Sequence, residues 1–108
     1  MSDVRRLFDP INPGEEETFE LDFTEDMDVD EGETITSATW ACTVRSGLDS
    51  AAAACISGGA VVTNDHLMTR QFCKGFKAGV VYILAATVIT NKGNKKTISA
   101  GLPCQAIA

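Results

Sequence analysis

The chain has 108 residues, 44% of them hydrophobic and 22% charged, with a formal net charge of −6. That length holds one domain, and the apolar content excludes wholesale disorder. No apolar run approaches the roughly 18 residues of a membrane-spanning helix, and the acidic balance argues against general nucleic-acid binding.

The charge is unevenly placed. Positions 1–33 carry thirteen carboxylates against Arg5 and Arg6, a net of −11, whereas positions 34–108 carry seven Lys and Arg against Asp49 and Asp65, a net of +5. Opposite charge at the two ends of a small domain can orient copies of it, or ordered partners, toward one another. It points to assembly more than to catalysis, although an acidic stretch also serves solubility.

Residues 1–17 read as an extended N-terminal arm, because Pro10, Pro13 and Gly14 interrupt any regular element. Its apolar anchors are Leu7, Phe8 and Ile11, and Arg5 and Arg6 could pair with an acidic surface elsewhere. The domain proper is expected over 18–108. Phe19, Leu21 and Phe23 alternate with Glu20, Asp22 and Thr24, the period of a half-buried strand with an acidic outer side. Residues 24–33 form an acidic loop.

The stretch 34–46, TITSATWACTVRS, predicts a strand with Ala38, Trp40, Cys42 and Val44 on one face and Trp40 in the core. A turn follows at 47–50. The run AAAACIS at 51–57 is assigned as a strand of small side chains, since it is short and ends in Gly58-Gly59. Residues 60–64 continue as a short strand, and 66–74 form another in which neither face is cleanly apolar.

Residues 80–90, VVYILAATVIT, form a long strand that is apolar on both sides. Tyr82, Leu84, Ala86 and Val88 take one side; Val81, Ile83, Ala85, Thr87 and Ile89 take the other. A sandwich buries one face of each strand, so the second apolar face needs cover, from the arm or from a neighbouring subunit. Asn91 to Asn94 form a hairpin turn, and 95–106 return as the last strand, with Pro103 marking an edge or a bulge late in it. About seven strands with regular turn signals predict an all-β chain, an immunoglobulin-like β-sandwich with an extended arm. The expected core is Phe19, Leu21, Phe23, Trp40, Val44, Tyr82, Leu84 and Val88. The expected interface is Phe8, Ile11, Val81, Ile83 and Ile89.

Catalytic signals are weak. There is one histidine, His66, and no glycine-framed nucleophile turn accompanies it, so a thiol nucleophile at Cys55 or Cys73 lacks local support. The four cysteines show no CxxC spacing and are expected to be reduced, buried hydrophobes. Asp26, Asp28 and Asp30 have the alternate spacing of calcium ligands, but the loop motif fails at the glycine and glutamate it requires, so they are only weak metal candidates. Lys92, Lys95 and Lys96 make a small basic tip, a device that keeps an edge strand soluble and can also meet an acidic partner. No cofactor is implied.

Two stretches, GETITSATWACTVRSGLDSAAAACISGGA (32–60) and GVVYILAATVITNKGNKKTISAGLPCQ (79–105), resemble the small immunoglobulin-like structural proteins of tailed bacteriophages, the fiber-tail or head-tail adaptor type. The resemblance covers about residues 18–105 and includes the pattern Gly79, Tyr82, Leu84, Ala86, Val88, Thr90. It implies a virion protein without enzyme activity or cofactor, present in several copies on a ring. Its partners would be portal, neck, tail or fiber components, not nucleic acid or membrane, and it would be assembled in the bacterial cytoplasm. The missing signal-type start agrees with that expectation. The alternatives are a head decoration protein and an immunoglobulin-like module that binds a glycan or a calcium-dependent ligand.

Overall fold

The computed structural model describes residues 4–63 and 66–105. Its strands are β1 (Val4–Leu7), β2 (Glu17–Asp22), β3 (Ile35–Ser46), β4 (Val61–Thr63), β5 (Met68–Cys73), β6 (Val81–Thr90) and β7 (Lys95–Pro103). They form two sheets, ordered β1-β7-β6-β3 and β2-β5-β4. Within each sheet three strands run antiparallel, and β1 adds parallel to β7. The chain is therefore all-β and sandwich-like.

The first sheet is built on inward-facing alternation. Tyr82, Leu84, Ala86 and Val88 of β6 are fully buried, as are Ile98, Ala100 and Leu102 of β7. Trp40 and Cys42 of β3 sit opposite Ala86 and Leu84 on the same face. Phe19 and Leu21 of β2 meet them from the second sheet, with Phe23 just beyond it. Each large apolar side chain fully buried in this way contributes about 1.5–3 kcal/mol. Every expected core residue lies in this cluster except Val44, which is half-buried and packs against it.

Strand β5 explains why its sequence looks two-sided. Its core face is Thr69, Gln71 and Cys73, all buried. The indole N–H of Trp40 donates to Thr69 Oγ1 at 3.1 Å, tying one sheet to the other. The Gln71 amide donates to the carbonyls of Ser57 at 2.9 Å and Gly58 at 3.1 Å. Polar side chains can face a core when their hydrogen bonds are made there. The outer face, with Arg70 and Phe72, is the exposed one.

Two expectations are corrected, the strand at 51–57 and the interface role of Ile11. The run 51–57 is not a strand: Ala52–Cys55 is a 3-10 helix, with Ala52 and Cys55 buried. Four consecutive alanines supply no β-branched side chain to pack against a pleated sheet, and the turn begins with the Ala51 N–H donating to Asp49 Oδ1. The segment before β2 is held against its own sheet. β1 pairs with β7, Phe8 N donates to Gly101 O at 2.8 Å, and Ile11 is bridged to Cys104 by Ile11 N→Pro103 O and Gln105 N→Ile11 O. Ile11 is thus a core residue, 1% exposed, and not an interface residue. The acidic loop forms two 3-10 turns, Thr24–Asp26 and Val29–Glu31, and buries Met27 and Glu33. Position 64 of the expected fourth strand and position 106 of the last lie outside the described residues, as do the side chains of Arg5 and Arg6.

Because Ile11 fills space inside its own chain, Ile11→Ala should cost about 2–4 kcal/mol in urea unfolding of the isolated protein. A residue that only touched a neighbour would leave that midpoint unchanged.

Candidate interaction surface

The second face of β6 is where the structure leaves apolar side chains outside the core. Val81, Ile83, Ala85 and Thr87 are half-buried, and Ile89 is 38% exposed. Their neighbours across the sheet are Thr43, Ala41, Thr39 and Ser37 on β3, and Gly101, Ser99, Thr97 and Lys95 on β7. Between Arg45 at one end and Lys95 at the other, the described side chains of β3, β6 and β7 on this face carry no charge. β1 is hydrogen-bonded to the edge of β7, and on this face Ser99 and Gly101 of β7 are buried. Phe8 is drawn elsewhere, its ring 4.9 Å from that of Phe19. Of the expected interface set, Val81, Ile83 and Ile89 share one face, Phe8 is half-buried away from it, and Ile11 is internal.

Two buried carboxylates hold the ends of this sheet, and the sequence reading missed both. Glu33 closes the acidic loop against the β6–β7 hairpin. Its carboxylate accepts from Thr90 Oγ1 at 2.6 Å, Asn94 Nδ2 at 2.8 Å and the Asp28 backbone N–H at 2.8 Å. Asn91 adds two more links, accepting from Thr34 N and donating to the Gly32 carbonyl. The lysine-bearing tip is therefore clamped at its base, with Lys92 and Lys95 exposed. The hydrogen bonds from Thr90, Asp28 and Asn94 pull the Glu33 pKa from its ordinary 4.5 down to about 2.

At the other end, Tyr82 Oη donates to Asp49 Oδ2 at 2.6 Å and accepts from the Lys77 backbone N–H at 2.8 Å. Lys77 Nζ lies 3.5 Å from Asp49 Oδ1. The Tyr82 hydrogen bond holds the Asp49 carboxyl below its usual range, while burial and the same bond push the Tyr82 phenol up. A carboxylate two residues before a run of small residues, as in Asp49-Ser50-Ala51, is the available sequence signal of a side chain capping its own turn.

The chemistry proposed for other residues is not assembled. Asp26, Asp28 and Asp30 are not brought together, and among the described residues no group of three or more His, Cys, Asp or Glu is placed to hold a metal ion. All four cysteines are free and buried. Burial raises the thiols of Cys42 and Cys55 and pushes Cys73 up to about 12. Such thiols are poor nucleophiles near neutral pH. His66 is exposed on a tight turn with φ of 66°, and its carbonyl accepts from Ile35 N. Comparison with protein-family models, with curated proteins and with solved structures gives no match.

Glu33 makes stability depend on pH with a definite sign. Its folded pKa is depressed, so its contribution is complete above about pH 4.5 and is lost as pH falls toward about 2. Glu33→Gln should lower the urea midpoint at pH 7 and flatten the loss of stability across that window. An unchanged acid profile in the variant would show that the carboxylate does not carry the dependence.

Proposed function

We propose that this chain is a structural virion protein of a tailed bacteriophage, an immunoglobulin-like adaptor at the neck or tail that docks fibers or other virion components. The observation that carries the reading is the uncharged, partly open outer face of β3, β6 and β7, a surface suited to a flat contact with another subunit. The strand order supports the immunoglobulin-like part. In such sandwiches a three-stranded sheet of B, E and D faces one of C, F and G, as β2-β5-β4 faces β3-β6-β7 here. Trp40 is buried on the strand in the C position. Tyr82, near the start of the strand in the F position, takes an upstream backbone N–H on its hydroxyl, as a tyrosine corner does.

Assembly in several copies fits the charge division, since the acidic segment of one subunit can meet the basic side of the next. In this reading Val81, Ile83 and Ile89 make the subunit or partner contact, and no cofactor is needed. The calcium-dependent alternative has no assembled ligand set behind it.

The test is the protein composition of gradient-purified particles from a host carrying the gene, probed with an antibody to this chain. The chain should be present in many copies per particle. Ile83→Asp with Ile89→Asp should leave the purified protein folded and reduce its incorporation at least about tenfold, as expected when an apolar contact is replaced by buried charge. Complete particles that lack the protein would overturn the reading.

A further inference from the structure

We infer that two copies of this chain pair edge to edge through β3, antiparallel, about a two-fold axis. This goes beyond the virion reading and does not rest on it.

β3 is the outer strand of its sheet, twelve residues long, and hydrogen-bonds only β6 as a strand. Its register with β6 is unbroken from Ser37 to Val44, with irregularities only beyond each end. On its free side, the one backbone bond outside the ladder that β3 makes among the described residues is Ile35 N→His66 O. Ser37, Thr39, Ala41 and Thr43 are exposed along it, and from Ser37 to Val44 there is no charge, proline or glycine. Natural edges are guarded by shortness, charge, proline or a bulge. The other edges of this molecule follow that rule. β1 has four residues, β4 has three, and β2 carries Glu17, Glu20 and Asp22. β3 alone is long and, from Ser37 to Val44, regular and free of charge.

A second copy is the occupant because β3 is complementary to itself. The exposed acids Asp28, Asp30 and Glu31 come just before the strand, and the exposed Arg45 lies at its far end. Antiparallel pairing turns each acidic end toward the partner's Arg45 end, twice per dimer. Parallel pairing would set like against like. A register centred on Ala41 places Ala41 opposite the partner's Ala41 and Thr39 opposite the partner's Thr43 in both halves, and threonine pairs of this kind stabilise sheets. The same arrangement turns the acidic end, with Val29 38% exposed, toward the end that holds Leu48, 93% exposed. The contact is isologous and closes at two copies. It uses the sheet edge, so the outer face of β6 stays available for other partners.

Sedimentation equilibrium of the full chain, over concentration and salt, tests this. A monomer–dimer equilibrium that weakens with salt is expected. Thr39→Lys with Thr43→Lys places lysines opposite one another across the two-fold axis and should raise the dissociation constant at least about tenfold, with the thermal midpoint unchanged at concentrations where the native chain is monomeric. Ala41→Cys should give a covalent dimer under mild oxidation, whereas the native chain, whose thiols are buried, should not. A chain that stays monomeric at every concentration overturns the inference. So does a dimer that the lysines leave unmoved and Ala41→Cys fails to cross-link.

Discussion

The hydrogen bond from the Trp40 indole to the Thr69 hydroxyl sits between the two sheets, and the arrangement of the second sheet depends on it. A buried indole N–H without an acceptor costs about 1–3 kcal/mol, a large share of the stability of a domain this small. Something on the facing strand must accept it, so β5 turns Thr69 inward. Period two then turns Gln71 and Cys73 inward as well. Gln71 in turn needs acceptors and finds them in the Ser57 and Gly58 carbonyls, which ties the glycine pair after the Ala52–Cys55 helix to the sheet. One polar atom on the only tryptophan thus sets the orientation of a strand and the path of the loop beside it.

This chain of dependence explains what could be read from the residues and what could not. β2, β3 and β6 announce themselves because their inward faces are apolar: Phe19 and Leu21, Trp40 and Cys42, Tyr82 through Val88. Alternation of apolar and polar residues is the only signal needed there. β5 hides its inward face behind Thr69 and Gln71, whose burial is balanced by partners far away in sequence. Ile11 hides for a related reason. An isolated isoleucine between two prolines has no periodicity, and its burial comes from pairing with Cys104, at the opposite end of the chain. Glu33 was hidden among residues of its own type, since nothing in a run of carboxylates tells which one will find Thr90 and Asn94. Asp26, Asp28 and Asp30, weak metal candidates by spacing alone, show the converse point: alternate spacing brings ligands together only if the backbone curls around a centre, and here it makes two separate 3-10 turns.

The two interior carboxylates also show how the charge division becomes a shape. Glu33 is fixed between the acidic loop and the β6–β7 hairpin, next to the start of β3. Asp49 is fixed by Tyr82 just past the end of β3. Each holds a flanking loop against the sheet with hydrogen bonds to its charged form, and bonds of that kind are stronger than neutral ones. The acidic turns and the Arg45 end are therefore held at the two ends of one rigid strand, and not left on swinging tails.

That rigidity decides how useful the charge is. Exposed charges on flexible segments interact weakly, since solvent screens them and ordering them costs side-chain entropy. Held at fixed separation on a straight strand, the same charges discriminate orientation, because one alignment satisfies both ends together and the reverse alignment opposes both. Thr and Ala at the exposed positions of β3 add little preference of their own, so backbone pairing along that edge would accept many strands if shape alone governed it. The charged ends supply the selectivity that the middle of the strand lacks. A long edge strand with an uncharged middle needs such selectivity, since without it such an edge invites indiscriminate edge-to-edge association.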